Sequence, residues 1–262
     1  MIRKFKSIID GNPIEVINLK VKRLFDRSFH SKNLKIPNRN LIYKTPIIIN
    51  SMNRLSYLKK QISWLENCGL KNIIIIDNQS TYLPLIEFYD KINYQVIRNQ
   101  RNMGYLALWY NPFFDSIRNN FYIYTDSDVV ASDKCPKDFI EYFYDSLINI
   151  KSLDKIGFSL NIKNLDQDID KKFNIIKNEK KFWCNKYANS NIFKAPIDTT
   201  FALYKPFTYG GYWLNSGRTN YPYTADHLPW LETSLDNDEI IFYESNLISK
   251  NSFYQSYRNK KY

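Results

Sequence analysis

The chain has 262 residues, of which 44% are hydrophobic and 24% charged, the balance of a folded protein that can bury a sizeable core as one large domain or two small ones. Its net charge of +11 calls for an acidic partner: nucleic acid, anionic lipid or a phosphorylated small molecule. The sequence has no Arg-rich helix interleaved with stacking aromatics and no zinc-finger or RNA-binding signature, so nucleic acid is set aside. Cys68, Cys135 and Cys184 form neither a C-x-x-C site nor a disulfide framework and favour a reducing compartment. The start of the chain lacks the apolar core of a signal peptide, and no apolar run approaches the roughly 18 residues of a membrane span. The expectation is a cytoplasmic protein that can rest on the inner membrane face.

Residues 1–40 form a basic N-terminal extension. Arg3, Lys4, Lys6, Lys20, Lys22, Arg23, Arg27, Lys32, Lys35 and Arg39 face only Asp10, Glu15 and Asp26. Scattered apolar positions leave three readings: a short strand, a cationic amphipathic segment, or a solvated extension on the domain's edge. His30 lies here without metal or catalytic company.

The pattern sharpens from Lys44. Thr45-Pro-Ile-Ile-Ile-Asn50 is a buried-strand run, and Ser51–Arg54 is a loop. A helix follows with Leu55, Leu58, Ile62 and Leu65 on one face, closed near Gly69. Lys71–Asp77 is the next strand, 83–91 a helix, Tyr94–Ile97 a strand, 105–118 a helix and Tyr122–Thr125 a strand. Strand–helix alternation with continuous apolar strands predicts an α/β fold, its mostly parallel central sheet covered on both faces. Further on, a helix over 136–150 and strands at Ile156–Leu160 and Asp198–Tyr204 are expected, with a polar loop region at 163–195.

Phe121-Tyr-Ile-Tyr-Thr-Asp-Ser-Asp-Val-Val130 carries the most chemistry. A β-type run ends in Asp126 and Asp128, either a strand followed by a polar turn or a place to hold a divalent cation against phosphates. Ligands of open α/β sheets bind outside the carboxyl ends of strands. Three strands here end in polar groups: Asn50-Ser51, Asp77-Asn78 and Asp126-Ser127-Asp128. Three such ends make a crevice of nucleotide size beside a metal site. Late aromatics, including Tyr209, Trp213 and Trp230 beside Gly210-Gly211, read either as core filling or as a sugar-stacking acceptor cleft.

The segments Thr45-Pro-Ile-Ile-Ile-Asn-Ser-Met-Asn-Arg54, Asn72–Thr81, Arg101-Asn-Met-Gly-Tyr105 and Tyr124-Thr-Asp-Ser-Asp128 together resemble glycosyltransferase family 2, over roughly residues 44–130. The resemblance implies a GT-A (Rossmann-like) fold, with 41–262 a single domain: a nucleotide-sugar half, 41–130, and an acceptor half, 131–262. It further implies donor contacts from Asn50, Arg54, Asp77 (nucleobase, usually uracil), Asn102, Gly104 and Asp126. Asp126 and Asp128 match the family's D-x-D pair, and a late His, here His227, often completes the Mn²⁺ or Mg²⁺ site. The chain departs from the pattern at Asn78-Gln79, where an acidic residue and Gly are usual. The stretches Ala195-Pro-Ile-Asp-Thr-Thr-Phe201 and Ala225-Asp-His-Leu-Pro-Trp230 resemble the distal half of bacterial surface-polysaccharide glycosyltransferases. On that likeness Asp198 is the expected base, with Asp226 and Glu232 in reserve.

The expected function is therefore metal-dependent, inverting transfer of a sugar from a nucleotide diphosphate, UDP first, to a glycan or lipid-linked hydroxyl. The basic extension would bring the enzyme to a membrane-borne acceptor. Two rivals differ in kind. A nucleotidyltransferase usually opens with a Gly-rich loop and a Lys, where this chain has Asn50-Ser-Met-Asn-Arg54. A silent glycan- or nucleotide-binding module on the same fold would bind a donor and never turn it over.

Overall fold

A computed structural model describes residues 35–163, 165, 174–198, 200–208, 210, 214–231 and 237–246. In chain order, α1 (Arg39–Ile42), β1 (Ile47–Ser51), α2 (Leu55–Asn67), β2 (Ile73–Asp77), α3 (Leu83–Tyr89) and β3 (Gln95–Arg98) come first. Next are α4 (Ala107–Tyr110), α5 (Asp115–Arg118), β4 (Tyr122–Asp126), β5 (Val129–Ala131) and α6 (Phe139–Asn149). Then come β6 (Lys155–Gly157), β7 (Ser159–Leu160), α7 (Ile175–Glu179), β8 (Phe193–Lys194) and β9 (Ala202–Tyr204). The chain continues with β10 (Ser216–Arg218), β11 (Thr224–His227), α8 (Leu228–Leu231) and α9 (Asn237–Ser245).

The protein is α/β. Among the described residues an eight-stranded mixed sheet runs β3-β2-β1-β4-β9-β6-β10-β8, and β5-β11-β7 form a second, smaller sheet. Strands β3, β2, β1 and β4 are mutually parallel, β9 lies antiparallel between β4 and β6, and β10 runs parallel to β6.

Side chains alternate across a strand, and both faces of this sheet are covered. Ile47, Ile49, Ile73, Ile75 and Ile123 enter one core with Leu58, Ile62 and Leu65 of α2. Ile48, Ile74, Ile76, Tyr122 and Tyr124 enter the other, against Trp109 and Phe114. This explains the unbroken isoleucine runs, since neither face is left to water. Helix α2 stops where expected: Gly69 adopts φ +77°, and the Leu70 amide donates to the Leu65 carbonyl at 2.9 Å.

Other expectations need correction. The helix foreseen over 105–118 is broken into short pieces. Asn111 is extended, with its side chain accepting from the Phe113 amide, and Pro112 has no N–H to continue a helix. The strand foreseen at 156–160 is two strands in different sheets, because the chain leaves the main sheet at Phe158. Here Gly157 is required: a Cβ would lie 2.5 Å from the Phe201 carbonyl. The strand foreseen from Asp198 begins at Ala202, and the region read as loop contains α7 and β8. Residues 1–34, with His30, lie outside the described part, so the readings of the basic extension fall there except for its last six residues.

Candidate functional site

Strand register aligns the three foreseen polar strand ends. Asn50 lies opposite Asp126, and Ser51 opposite Asp77, so three strands bring their polar ends to one carboxyl edge. The Asn50 Nδ2 sits 3.4 Å from both Asp126 Oδ1 and the Gly104 carbonyl, joining the first and fourth strand ends to the Asn102–Gly104 element. Asp77 is 3% exposed. Its Oδ1 accepts from the Ser80 amide at 2.9 Å, and its Oδ2 lies 3.4 Å from Arg98 Nε. In this conformation Asp77 holds the 77–80 turn.

The departure at Asn78-Gln79 has a structural role. Buried Asn78 donates to Asn102 Oδ1 at 2.8 Å and to the Gly104 carbonyl at 3.2 Å, while its Oδ1 accepts from the Met103 amide at 2.8 Å. An ionised carboxylate could make only the last of these bonds. Gln79 stands at φ +70°, the left-handed region where Gly is at ease. Its side chain accepts from the Asn102 amide at 3.0 Å and donates to the Gln100 carbonyl at 3.2 Å. Two side-chain amides thus tie the 77–80 turn to the Asn102–Gly104 element.

The Asp126–Asp128 turn is braced from below. Gln61 Nε2, on the inward face of α2, donates to the Asp126 carbonyl at 2.8 Å and the Val129 carbonyl at 2.6 Å. Sequence reading passed over Gln61; a polar residue between Leu58 and Ile62 on an apolar stripe was the available signal. Beyond the turn, β5 pairs antiparallel with β11, setting His227 opposite Val129. His227 Nε2 then lies 3.5 Å from Asp128 Oδ2, both side chains partly open to solvent. Loss of hydration pushes the Asp128 carboxyl up, but the His227 charge and hydrogen bond, together with Arg54, outweigh it and leave its pKa below the ordinary value.

Arg54 is buried, with its guanidinium 3.4 Å from the Tyr243 ring centroid, a stacking and cation–π contact. Helix α9, which bears Tyr243, also sends Glu239 to cap α2: its carboxylate accepts from the Ser56 amide at 3.0 Å and the Ser56 hydroxyl at 2.6 Å.

Among the described residues, no three His, Cys, Asp or Glu side chains gather to hold a metal by themselves. Asp128 and His227 nevertheless fit such an ion. Mg²⁺ is commonly held by one or two carboxylates with substrate phosphates and water, and imidazole suits transition metals such as Mn²⁺. Asp126 lies at the same turn, where its Oδ1 is 3.4 Å from Asn50 Nδ2.

The segment that carries Asp198 arrives by a different route. Because β9 pairs antiparallel with β4, Tyr124 opposite Ala202, the loop ahead of β9 reaches the edge where β4 ends. Asp198 lies in that loop and keeps contact with water. The dense protein around it raises its pKa, while Lys155 and Arg218 act in the opposite sense. The same two cations hold its backbone: Lys155 Nζ donates to the Ile197 carbonyl at 2.7 Å, and Arg218 Nε to the Pro196 carbonyl at 2.8 Å. Lys155 is fully buried, and burial first of all lowers its pKa to about 7. Arg218 is itself buried and bonded to Glu179 at 2.9 Å.

Asp226 is engaged elsewhere, accepting from Ser132 Oγ at 2.7 Å and Asn161 Nδ2 at 2.9 Å. Trp230 is 9% exposed and packs edge-on against His227, centroids 4.7 Å apart, so it supports the imidazole and offers no open sugar platform. Tyr209, Trp213 and Glu232 lie outside the described residues.

No protein-family model matches the chain, and no curated protein matches it significantly.

Proposed function

We propose that this chain is a metal-dependent, inverting glycosyltransferase of GT-A type that moves a sugar from a nucleotide diphosphate, UDP first, to a glycan or lipid-linked hydroxyl. What supports this reading is the meeting of Asn50, Asp126 and the Asp128–His227 pair at one sheet edge, with the loop that carries Asp198 leading into β9 beside β4. Asn50, Arg54, Asp77, Asn102 and Gly104 shape the donor crevice. Asp128 and His227, with Asp126 at the same turn, would hold a divalent cation with the help of the diphosphate oxygens and water, and the ion would supply the charge that neutralises the diphosphate and the departing nucleotide. Asp198 takes the acceptor hydroxyl's proton as that oxygen bonds to the anomeric carbon. The anomeric carbon–oxygen bond breaks, and its electron pair leaves on the diphosphate. A carboxylate with a raised pKa is the stronger base for this task.

The test is a thermal-shift screen of nucleotide sugars with and without Mn²⁺. A ligand at a hundred times its Kd stabilises the native state by about 2.7 kcal/mol, so a metal-dependent rise in Tm with a UDP-sugar is expected. If no nucleotide gives such a rise, the donor site is wrongly assigned. Nucleotide release that needs metal and disappears in Asp128→Ala separates an enzyme from a silent binding module.

A further inference from the structure

The surface at the opposite, amino edge of the sheet has no part in this chemistry. A hollow of about 440 Å³ opens there, lined by Arg39, Tyr43, Lys44, Lys71 and Asn72 among others, with no carboxylate in its lining. Lys44 and Lys71 directly precede β1 and β2, and the Asn72 amide donates to the Lys44 carbonyl at 2.7 Å, which holds the two approaches together. Lys35, Arg39, Lys44 and Lys71 are all exposed. Arg39 carries an ion pair to Glu141 at 2.7 Å. Two large apolar side chains of the segment that borders the hollow are also exposed, though outside its lining: Ile36, 40% exposed, and Leu41, 54% exposed. The chain enters this patch from residues 1–34, which hold eight Lys or Arg against three Asp or Glu.

We propose that this face docks on an anionic lipid bilayer, with Leu41 and Ile36 entering the headgroup region and Lys35, Lys44 and Lys71 meeting lipid phosphates. A basic patch with protruding apolar residues provides the two signals that peripheral binding needs. Each cation beside an anionic bilayer contributes roughly fivefold in affinity. A soluble acidic protein would match the charges but leave Leu41 and Ile36 without a partner. Docked this way, the carboxyl edge faces away from the bilayer, at least one strand length above it. This surface stands whether or not the glycosyltransferase reading does.

The experiment is cosedimentation of the full chain with vesicles of phosphatidylglycerol mixed into phosphatidylcholine, against phosphatidylcholine alone, at two salt concentrations. Binding is expected only to the anionic vesicles and is weaker at high salt. Lys44→Glu/Lys71→Glu should weaken it about twenty-five-fold or more, and Leu41→Asp severalfold. Leu83→Asp, which changes a side chain 62% exposed on α3, should leave it unchanged. Circular dichroism and Tm establish that each variant is folded. Absence of wild-type binding overturns the proposal. So does equal binding by the patch variants, which would assign the affinity to residues 1–34 alone. A third overturning result is a Tm rise with inorganic phosphate, removed by Lys44→Glu/Lys71→Glu, without vesicle binding; it would make the hollow a free-phosphate site.

Discussion

From β1 to β4 the molecule is closed by short-range units, whereas beyond Asp126 it is closed by distant partners. In the first part β1 pairs with β2, β2 with β3, and β4 returns beside β1, all parallel, and β1, β2 and β3 each lead into helix before the next strand. In the second part β9 inserts between β4 and β6, His227 reaches Val129 across the small sheet, Glu179 holds Arg218, and Glu239 caps a helix 183 residues earlier. The first part is positioned by register within a parallel sheet. The second part is positioned by packing between far-apart segments, so a small steric change there should displace the Asp198 loop while the strand ends of the first part keep their places.

The largest effects should come from the reacting groups. Asp198→Asn is expected to lower turnover by about 10²–10⁴-fold, the range of a lost general base, with nucleotide binding kept. Asp128→Ala should lose metal-dependent nucleotide binding and turnover together. Isothermal titration beside steady-state assays separates the two; if both variants lose donor binding, the two sides are not independent.

Next come the glycines. Gly157→Ala puts a Cβ 2.5 Å from the Phe201 carbonyl and 2.9 Å from the Ala202 Cβ, and should cost about 3 kcal/mol while displacing the Asp198 loop. Gly104→Ala, at φ +60° with nothing within 4 Å of its Cβ, should cost only about 1 kcal/mol. Urea unfolding measures both, and equal costs would remove the contrast.

Lys155 gives a smaller effect that depends on pH. Folding holds its pKa at about 7 against an ordinary 10.5, so between these values the unfolded chain binds the extra proton. Wild-type stability therefore gains with rising pH across that window, and Lys155→Met lacks this gain. The Tm of the wild type minus that of the variant should grow from pH 7 to pH 10. In activity, losing this cation should move the acid limb set by Asp198 to higher pH, since Lys155 favours its ionised form. A limb that stays in place would show that Asp198 is not the titrating base.

The smallest expected change is at the long-range cap. Glu239→Ala should cost about 1 kcal/mol, the usual worth of a lost cap, and a Tm unchanged within error would mean that α9 contributes no stability to α2.

Legibility followed the same division. The isoleucine runs, the α2 stripe with Gly69, and the polar ends at Asn50, Asp77 and Asp126 could be read from residue order, because their partners lie within one strand–helix unit. Asn78 and Gln79 read as departures from a pattern, and only their hydrogen bonds explain them: an amide donates where a carboxylate cannot. The 105–118 helix was misread because apolar spacing outweighed the breaking effect of Asn111-Pro112. Glu239, Lys155 and the Arg218–Glu179 pair carry no local signal, since each acts on a segment far along the chain.

By itself the sequence determined the α/β alternation, the buried strands and which polar residues end them, because hydrophobic periodicity and strand termini are properties of consecutive residues. Tertiary structure alone decided that His227 meets Asp128, that Asp198 comes to the edge where β4 ends, and that Trp230 supports an imidazole. Those outcomes depend on which distant strands pair and in which direction, a choice made by packing and hydrogen-bond satisfaction over the whole molecule.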